Sequence, residues 1–192
     1  NDSKKLSPKR REQLAGEIKK MVTAWQTLEI PAAEINTVHK QGITLNQLEE
    51  RNFAKLLNSM IPHPDIIYLD AADVKEERFG QSIGKLLTFQ PKQIISKHKG
   101  DSLFKIVGAA SILAKTHRDG IIDSIRQQYG DIGSGYPSDP KTKSFLEKYY
   151  QEHRQFPDFV RTWWQTALDI ENKFKPQVTT KKTQKKLTDF KK

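Results

Sequence analysis

A chain of 192 residues, 35% hydrophobic and 29% charged, is polar for its size yet long enough to bury one core. It has no cysteine, which excludes disulfides and thiolate metal centres and leaves carboxylate, carbonyl or imidazole for any metal. The net charge is +10, but the segment from Lys175 to Lys192 holds seven lysines against the single acid Asp189, so the preceding 174 residues carry only +4. The basic balance therefore says little about the body of the protein. No apolar run reaches the length of a bilayer span and no signal peptide is visible, so a cytoplasmic protein is expected. The chain opens on Asn1, which suits a start partway into a longer protein.

In chain order, Ser7-Pro8 gives an N-cap followed by proline at the first helical position. Leu14, Ile18, Met21, Val22 and Trp25 then recur at helical spacing, predicting a helix over 8–24. Residues 27–39 alternate loosely around Ile30-Pro31 and read as an edge strand and a loop. Thr44 and Gln47 form a capping box ahead of a helix with Phe53, Leu56, Leu57 and Met60 on one face, closed by Pro62 and Pro64. Ile66-Ile67-Tyr68-Leu69 reads as a short strand buried on both faces, delivering Asp70 at its carboxyl end. A helix is expected over 74–87, with Asp73 capping it. A second strand, 92–96, leads to His98 and Asp101.

The next helix runs from about 106 to Tyr129. Its early small residues Gly108, Ala109, Ala110 and Ser111 permit close approach of another backbone, and Gly130, Gly133, Gly135 and Pro137 follow it, enclosing Tyr136 in a loop. Asp139-Pro140 restarts a helix carrying Phe145, Leu146 and Tyr149. Phe156-Pro157-Asp158 is read as the cap of the last one, in which Val160, Trp163, Trp164, Ala167 and Leu168 pack. Beyond Pro176 the composition is Lys, Thr and Gln, and disorder is expected. The organisation is α/β over 1–130, a helical part over 131–174 and a basic tail over 175–192.

Two strands each delivering an acid from the same end suggest one carboxylate site, suited to a hard cation such as Mg²⁺ or Mn²⁺. From spacing alone, Asp70 and Asp101 read more readily as loop acids than as metal ligands, because like charges repel without a compensating cation. His98 is either a general base or a hydrogen-bonded residue at a strand end. His117, beside Arg118 and Asp119, reads as part of a solvated charged face. Tyr136 either meets a ligand or packs on the body. No phosphate-binding glycine loop, zinc pattern, nucleophile elbow or dinucleotide fingerprint is present, which leaves carboxylate-metal nucleases among the open enzyme classes.

Taken together, five stretches resemble the archaeal ribonuclease HII family of type 2 ribonucleases H. Asp2-Ser3-Lys4-Lys5-Leu6-Ser7 is similar to its DSKKLS loop. Asp70-Ala71-Ala72-Asp73-Val74 with Glu77-Arg78-Phe79 resembles its DAADV strand end, and His98-Lys99-Gly100-Asp101 its HKAD loop. Residues 109–115, followed by Arg118-Asp119, resemble its AASILAKxxRD helix, and residues 133–140 its GSGYPSDP loop. Thr116-His117 departs from the usual Val-Thr.

The resemblance implies a ribonuclease H-like mixed sheet flanked by helices, with a helical C-terminal part. It implies endonucleolytic cleavage of RNA paired to DNA and of ribonucleotides embedded in duplex DNA, with two divalent metals, Mg²⁺ or Mn²⁺, held by four carboxylates. Asp70 and Asp101 match the third and fourth of these. Tyr136 matches the tyrosine at the ribose-to-deoxyribose junction, and Lys4, Lys5, Ser111 and Lys115 match substrate contacts. The first two carboxylates of the family lie in a DEAGRG motif ahead of the DSKKLS loop, and this chain begins at that loop. The expectation is an incomplete fragment, inactive alone and monomeric. In the tail, Gln184, Leu187 and Phe190 resemble a sliding-clamp-binding peptide, with Lys191 where a second aromatic is usual. The alternative reading is a non-catalytic nucleic-acid-binding or clamp-binding module derived from the same fold.

Overall fold

A computed structural model of the chain describes residues 6–175. The first helix, α1 (Pro8–Met21), starts where Ser7 accepts a hydrogen bond from the Arg10 N–H at 3.3 Å. The second, α2 (Ala32–Lys40), replaces the expected edge strand and loop over 27–39. The loose alternation there was misleading: Pro31 cannot continue a ladder but suits a helix entry, and the Ala-Ala-Glu that follows favours the helix. In α3 (Leu45–Ser59) the Thr44–Gln47 capping box forms in both directions, as predicted.

Strands β1 (Ile66–Asp70) and β2 (Gln93–Lys97) pair in parallel, with Ile67 opposite Ile94 and Asp70 opposite Lys97. Parallel pairing requires a crossover, and α4 (Glu76–Gly84) supplies it. This helix is shorter at both ends than the predicted 74–87, because residues 71–75 are committed to the strand-end turn described below. Its Phe79 and Ile83 are wholly buried against Ala54, Leu57, Ile67 and Leu69. Complete burial of a side chain such as Phe79 contributes about 1.5–3 kcal/mol.

The expectation that β1 is buried on both faces fails. Ile67 and Leu69 enter the core, while Ile66 is exposed and Tyr68 half-buried. The second face borders a cleft of about 1020 Å³, lined also by Ile18, Phe53, Ala110 and Tyr136.

After β2 come the single turn α5 (Gly100–Leu103) and the long α6 (Lys105–Tyr129), whose Ile112 and Leu113 pack on Ala15 of α1. The C-terminal part pairs α7 (Pro140–His153) with α8 (Gln165–Phe174) around Leu146, Val160, Ala167 and Ile170. The last helix begins seven residues after Asp158, not at it. Asn36 of α2 holds the intervening turn, donating to Val160 O at 2.9 Å and accepting from the Thr162 N–H at 3.0 Å. Trp163 therefore lies outside the helix, stacked on His39 at 4.2 Å, and Trp164 is its N-cap. Leu168 stays partly exposed. Among the described residues, no helix is long and apolar enough to cross a membrane.

Candidate active site

Parallel pairing brings the carboxyl ends of β1 and β2 to one edge, where the Ala71 N–H donates to Lys97 O at 3.0 Å. Lys99 then adopts left-handed backbone angles (φ 57°, ψ 33°) and turns the chain back over that edge. The turn aims the Gly100 N–H at Asp70 Oδ1, 2.9 Å away. Gly100 packs so closely that a Cβ there would lie 2.9 Å from both Asp70 Cα and Leu69 O, so only glycine fits without displacement. Asp101, one residue on, is part of α5 and not of a loop as predicted. Asp70 is exposed and Asp101 half-buried, so both carboxylates remain open to solvent while their backbones are fixed side by side.

A second group of charges locks this edge from behind. Asp73 is buried, at 3% exposure, accepting from the Lys75 N–H at 3.1 Å and pairing with the Arg78 guanidinium. It ties down the turn ahead of α4 but is not the cap expected from the sequence: the helix starts at Glu76, its N-cap is Lys75, and no side chain caps it. His98 donates its backbone N–H to Glu76 Oε1 at 2.6 Å. Its Nε2 lies 2.7 Å from Asp73 O, an acceptor only, so Nε2 carries the hydrogen. Lys97 Nζ holds the other Glu76 oxygen at 2.9 Å. His98 is therefore a hydrogen-bonded strand-end residue that fastens the β1 turn to the β2 turn. Hydrogen bonds from Arg78 and Lys75 hold the Asp73 carboxyl below the usual carboxylate range, and those from His98 and Lys97 do the same for Glu76.

Along the cleft, α6 presents Ser111 and Lys115 one turn apart, with Lys115 Nζ donating to Ser111 Oγ at 2.6 Å. The loop after α6 is internally bonded. Gly133 and Gly135 both have positive φ, at 68° and 74°. Asp139 Oδ2 accepts from the Ser134 N–H at 2.6 Å, and buried Thr142 accepts from the Gly135 N–H at 3.0 Å while donating to Ile132 O at 2.9 Å. Tyr136 stands out from this frame, 53% exposed, with the Arg118 guanidinium 4.2 Å from its ring centroid. Asp70, Ser111, Lys115 and Tyr136 all line the one cleft. Asp101, in α5, is not among the cleft's lining residues, while Lys4, Lys5, Gln184, Leu187 and Phe190 lie outside the described residues.

The family model for ribonuclease HII matches residues 1–167. The chain belongs to the ribonuclease HII family. Ribonuclease HII of Thermococcus kodakarensis is 51% identical over 172 residues, which cover 90% of this chain and 74% of that protein. The crystal structure of ribonuclease H2 from Pyrococcus horikoshii superposes with a TM-score of 0.84 at 42% identity, covering 90% of this chain and 80% of that one. A structure of the PCNA:RNase HII complex from Archaeoglobus fulgidus gives 0.77 at 32% identity, covering 88% and 78%. These matches assign the chain a ribonuclease H-like fold and the type 2 ribonuclease H class of enzyme.

Arg118 and Asp119, read from sequence as part of a solvated face, are instead engaged. Arg118 donates to Ser134 O at 2.7 Å, and Asp119 accepts from Arg11 at 2.7 Å. Both are half-buried, and only partners distant in sequence reveal them. His117 does stay exposed, 3.9 Å from Glu29. Among the charges of the strand-end lock, nothing in the spacing of Arg78 announces its ion pair with the buried Asp73.

The depressed carboxyls give the fold an acid-side dependence. Asp73 and Glu76 take up protons more readily unfolded than folded, so their stabilisation is complete above the ordinary carboxylate pKa of about 4 and is lost as pH falls through the lower folded values. Removing Arg78 brings the folded pKa of Asp73 back toward the unfolded one. Arg78→Gln should therefore lower the melting temperature at neutral pH but flatten its decline between about pH 5 and pH 3. Thermal melts across that range check this, and an unchanged acid-side slope would count against the lock.

Proposed function

We propose that this chain supplies two metal-binding carboxylates and the ribonucleotide-reading wall of an endonuclease. Its substrates are the RNA strand of RNA–DNA hybrids and ribonucleotides embedded in duplex DNA. The observation carrying the reading is the hydrogen bond from the Gly100 N–H to Asp70, which sets the turn bearing Asp101 on the end of β1, where Asp70 lines a cleft with Ser111, Lys115 and Tyr136. Membership of the ribonuclease HII family supports it.

The donor set suits Mg²⁺ or Mn²⁺: two solvent-open carboxylates, hard oxygen ligands, in a chain without thiols. Asp70 and Asp101 would hold such ions, which when bound supply an activated water and charge stabilisation at the leaving 3′ oxygen. Lys115 and Ser111, with Lys4 and Lys5, bind phosphates and set the duplex in register without reading its sequence. Tyr136 meets the sugar at the junction, where the 2′-hydroxyl distinguishes RNA from DNA.

Two carboxylates do not complete the site. Among the described residues, no group of three or more His, Asp or Glu side chains is arranged to hold a metal ion. The 192-residue chain alone should show no cleavage in Mg²⁺ or Mn²⁺. It should still bind a labelled duplex containing one ribonucleotide more tightly than the all-DNA duplex, by fluorescence anisotropy in Ca²⁺. Equal affinities, or turnover by the chain that Asp70→Asn abolishes, would contradict this division of labour.

The tail peptide Gln184, Leu187 and Phe190 gives the enzyme a second partner, a sliding clamp. The complex of PCNA with the Archaeoglobus protein supports that partner. Lys191 in place of a second aromatic weakens the contact. Calorimetry of the full chain against an archaeal clamp should give heat that is lost on deleting residues 184–192. Heat unaffected by the deletion, or none at high micromolar clamp, would remove the tail from the account.

A further inference from the structure

Tyr136 is more than half exposed on a loop containing two positive-φ glycines, a weak base for a ring that must judge a single hydroxyl. Its own backbone contacts are modest: the N–H reaches Ser134 Oγ at 3.4 Å, and its carbonyl accepts from the Asp139 N–H at 3.0 Å. The firm contact is with another element. Arg118, in the middle of α6, places its guanidinium carbon 4.2 Å from the ring centroid and donates Nη2 to Ser134 O at 2.7 Å. One planar cation thus supports the ring by its face and the loop by its main chain two residues earlier. The approach is tight, since a Cβ on Gly135 would lie 3.2 Å from Arg118 Nη2 and 2.8 Å from Ile122 Cδ1.

Arg118 is itself held. Asp119 Oδ1 lies 3.5 Å from Arg118 Nη1, and Asp119 Oδ2 accepts from Arg11 Nη2 at 2.7 Å. Arg11 in turn donates Nη1 to Leu6 O at 2.7 Å. The series runs from Leu6, next to Lys5, through α1 and α6 to the tyrosine loop, so a rigid long helix, not the loop, fixes the ring.

We propose that Arg118 is the positioning residue of Tyr136: it sets the ring for the junction sugar, so that discrimination of ribose from deoxyribose depends on Arg118 although Arg118 does not touch the sugar. The inference rests on the nuclease reading given above. A lysine cannot replace it, because an ammonium is a compact charge on a flexible stem and cannot stack on the ring while donating in a fixed fork to Ser134 O.

The test compares the full chain with Arg118→Lys, Arg118→Gln, Tyr136→Ala and the double variant Arg118→Lys/Tyr136→Ala. Anisotropy in Ca²⁺ measures affinity for a duplex with one ribonucleotide and for its all-DNA counterpart, at several salt concentrations. Glutamine keeps a donor for Ser134 O without the cation, so the pair of single variants separates ring support from loop support, and melting curves report folding. The ribose preference should fall about two- to fivefold in Arg118→Lys, the size of one exposed cation–π contact. It should fall no further in the double variant than in Tyr136→Ala, with the salt slope of Arg118→Lys unchanged.

A preference retained in both Arg118 variants overturns the inference. So does an equal loss of affinity for both duplexes with the ratio kept, which marks Arg118 as a phosphate contact or a structural residue. A wild-type chain with no ribose preference overturns the nuclease reading and this inference with it.

Discussion

The site depends on a close contact between two turns. The Gly100 N–H donates to Asp70, and the absence of a Cβ at Gly100 lets the α5 turn lie directly on the end of β1. Two carboxylates repel one another in the absence of a cation. The fold offsets that tendency by fixing the backbones on both sides of the gap and leaving the charged heads in solvent. Parallel pairing of β1 and β2, the crossover through α4, and the left-handed turn at Lys99 all serve to bring residue 100 to that position.

A frame of paired charge, with Asp73 buried, flanks this contact. Asp73 with Arg78, and Glu76 with Lys97 and His98, fasten the turns after β1 and β2 to each other. Arg11, Asp119 and Arg118 brace the cleft side and carry support to Tyr136. The two sets have the same logic: residues that would touch substrate or metal stay exposed, and their neighbours spend their hydrogen bonds holding backbone. In the proposed function, affinity for a polyanion falls to lysines and selectivity for ribose to a supported aromatic ring.

Much of this was legible in the sequence because it is local. The Thr44–Gln47 capping box, the two short strands, the first ending on Asp70 and the second leading to Asp101, and the tyrosine among glycines follow from spacing and turn chemistry. What was not legible is set by tertiary contacts. Residues 32–40 alternate loosely enough to pass for strand, yet fold as a helix whose Asn36 satisfies the backbone of residues 160 and 162 across the molecule. The same bond keeps Trp163 out of the final helix. Arg118 and Asp119 look like ordinary surface charge until Ser134 and Arg11 are brought alongside, and β1 appears doubly buried until its second face is found lining a cleft.

The central claim is that Asp70 and Asp101 act on one cation and not as two separate acids. Substoichiometric Mn²⁺ added to ¹⁵N-labelled chain reports this directly, through paramagnetic broadening of nearby amide resonances. Broadening centred on residues 70–71 and 99–102 together, lost in both Asp70→Asn and Asp101→Asn, is the predicted result. Broadening at one segment that survives substitution of the other acid would contradict it.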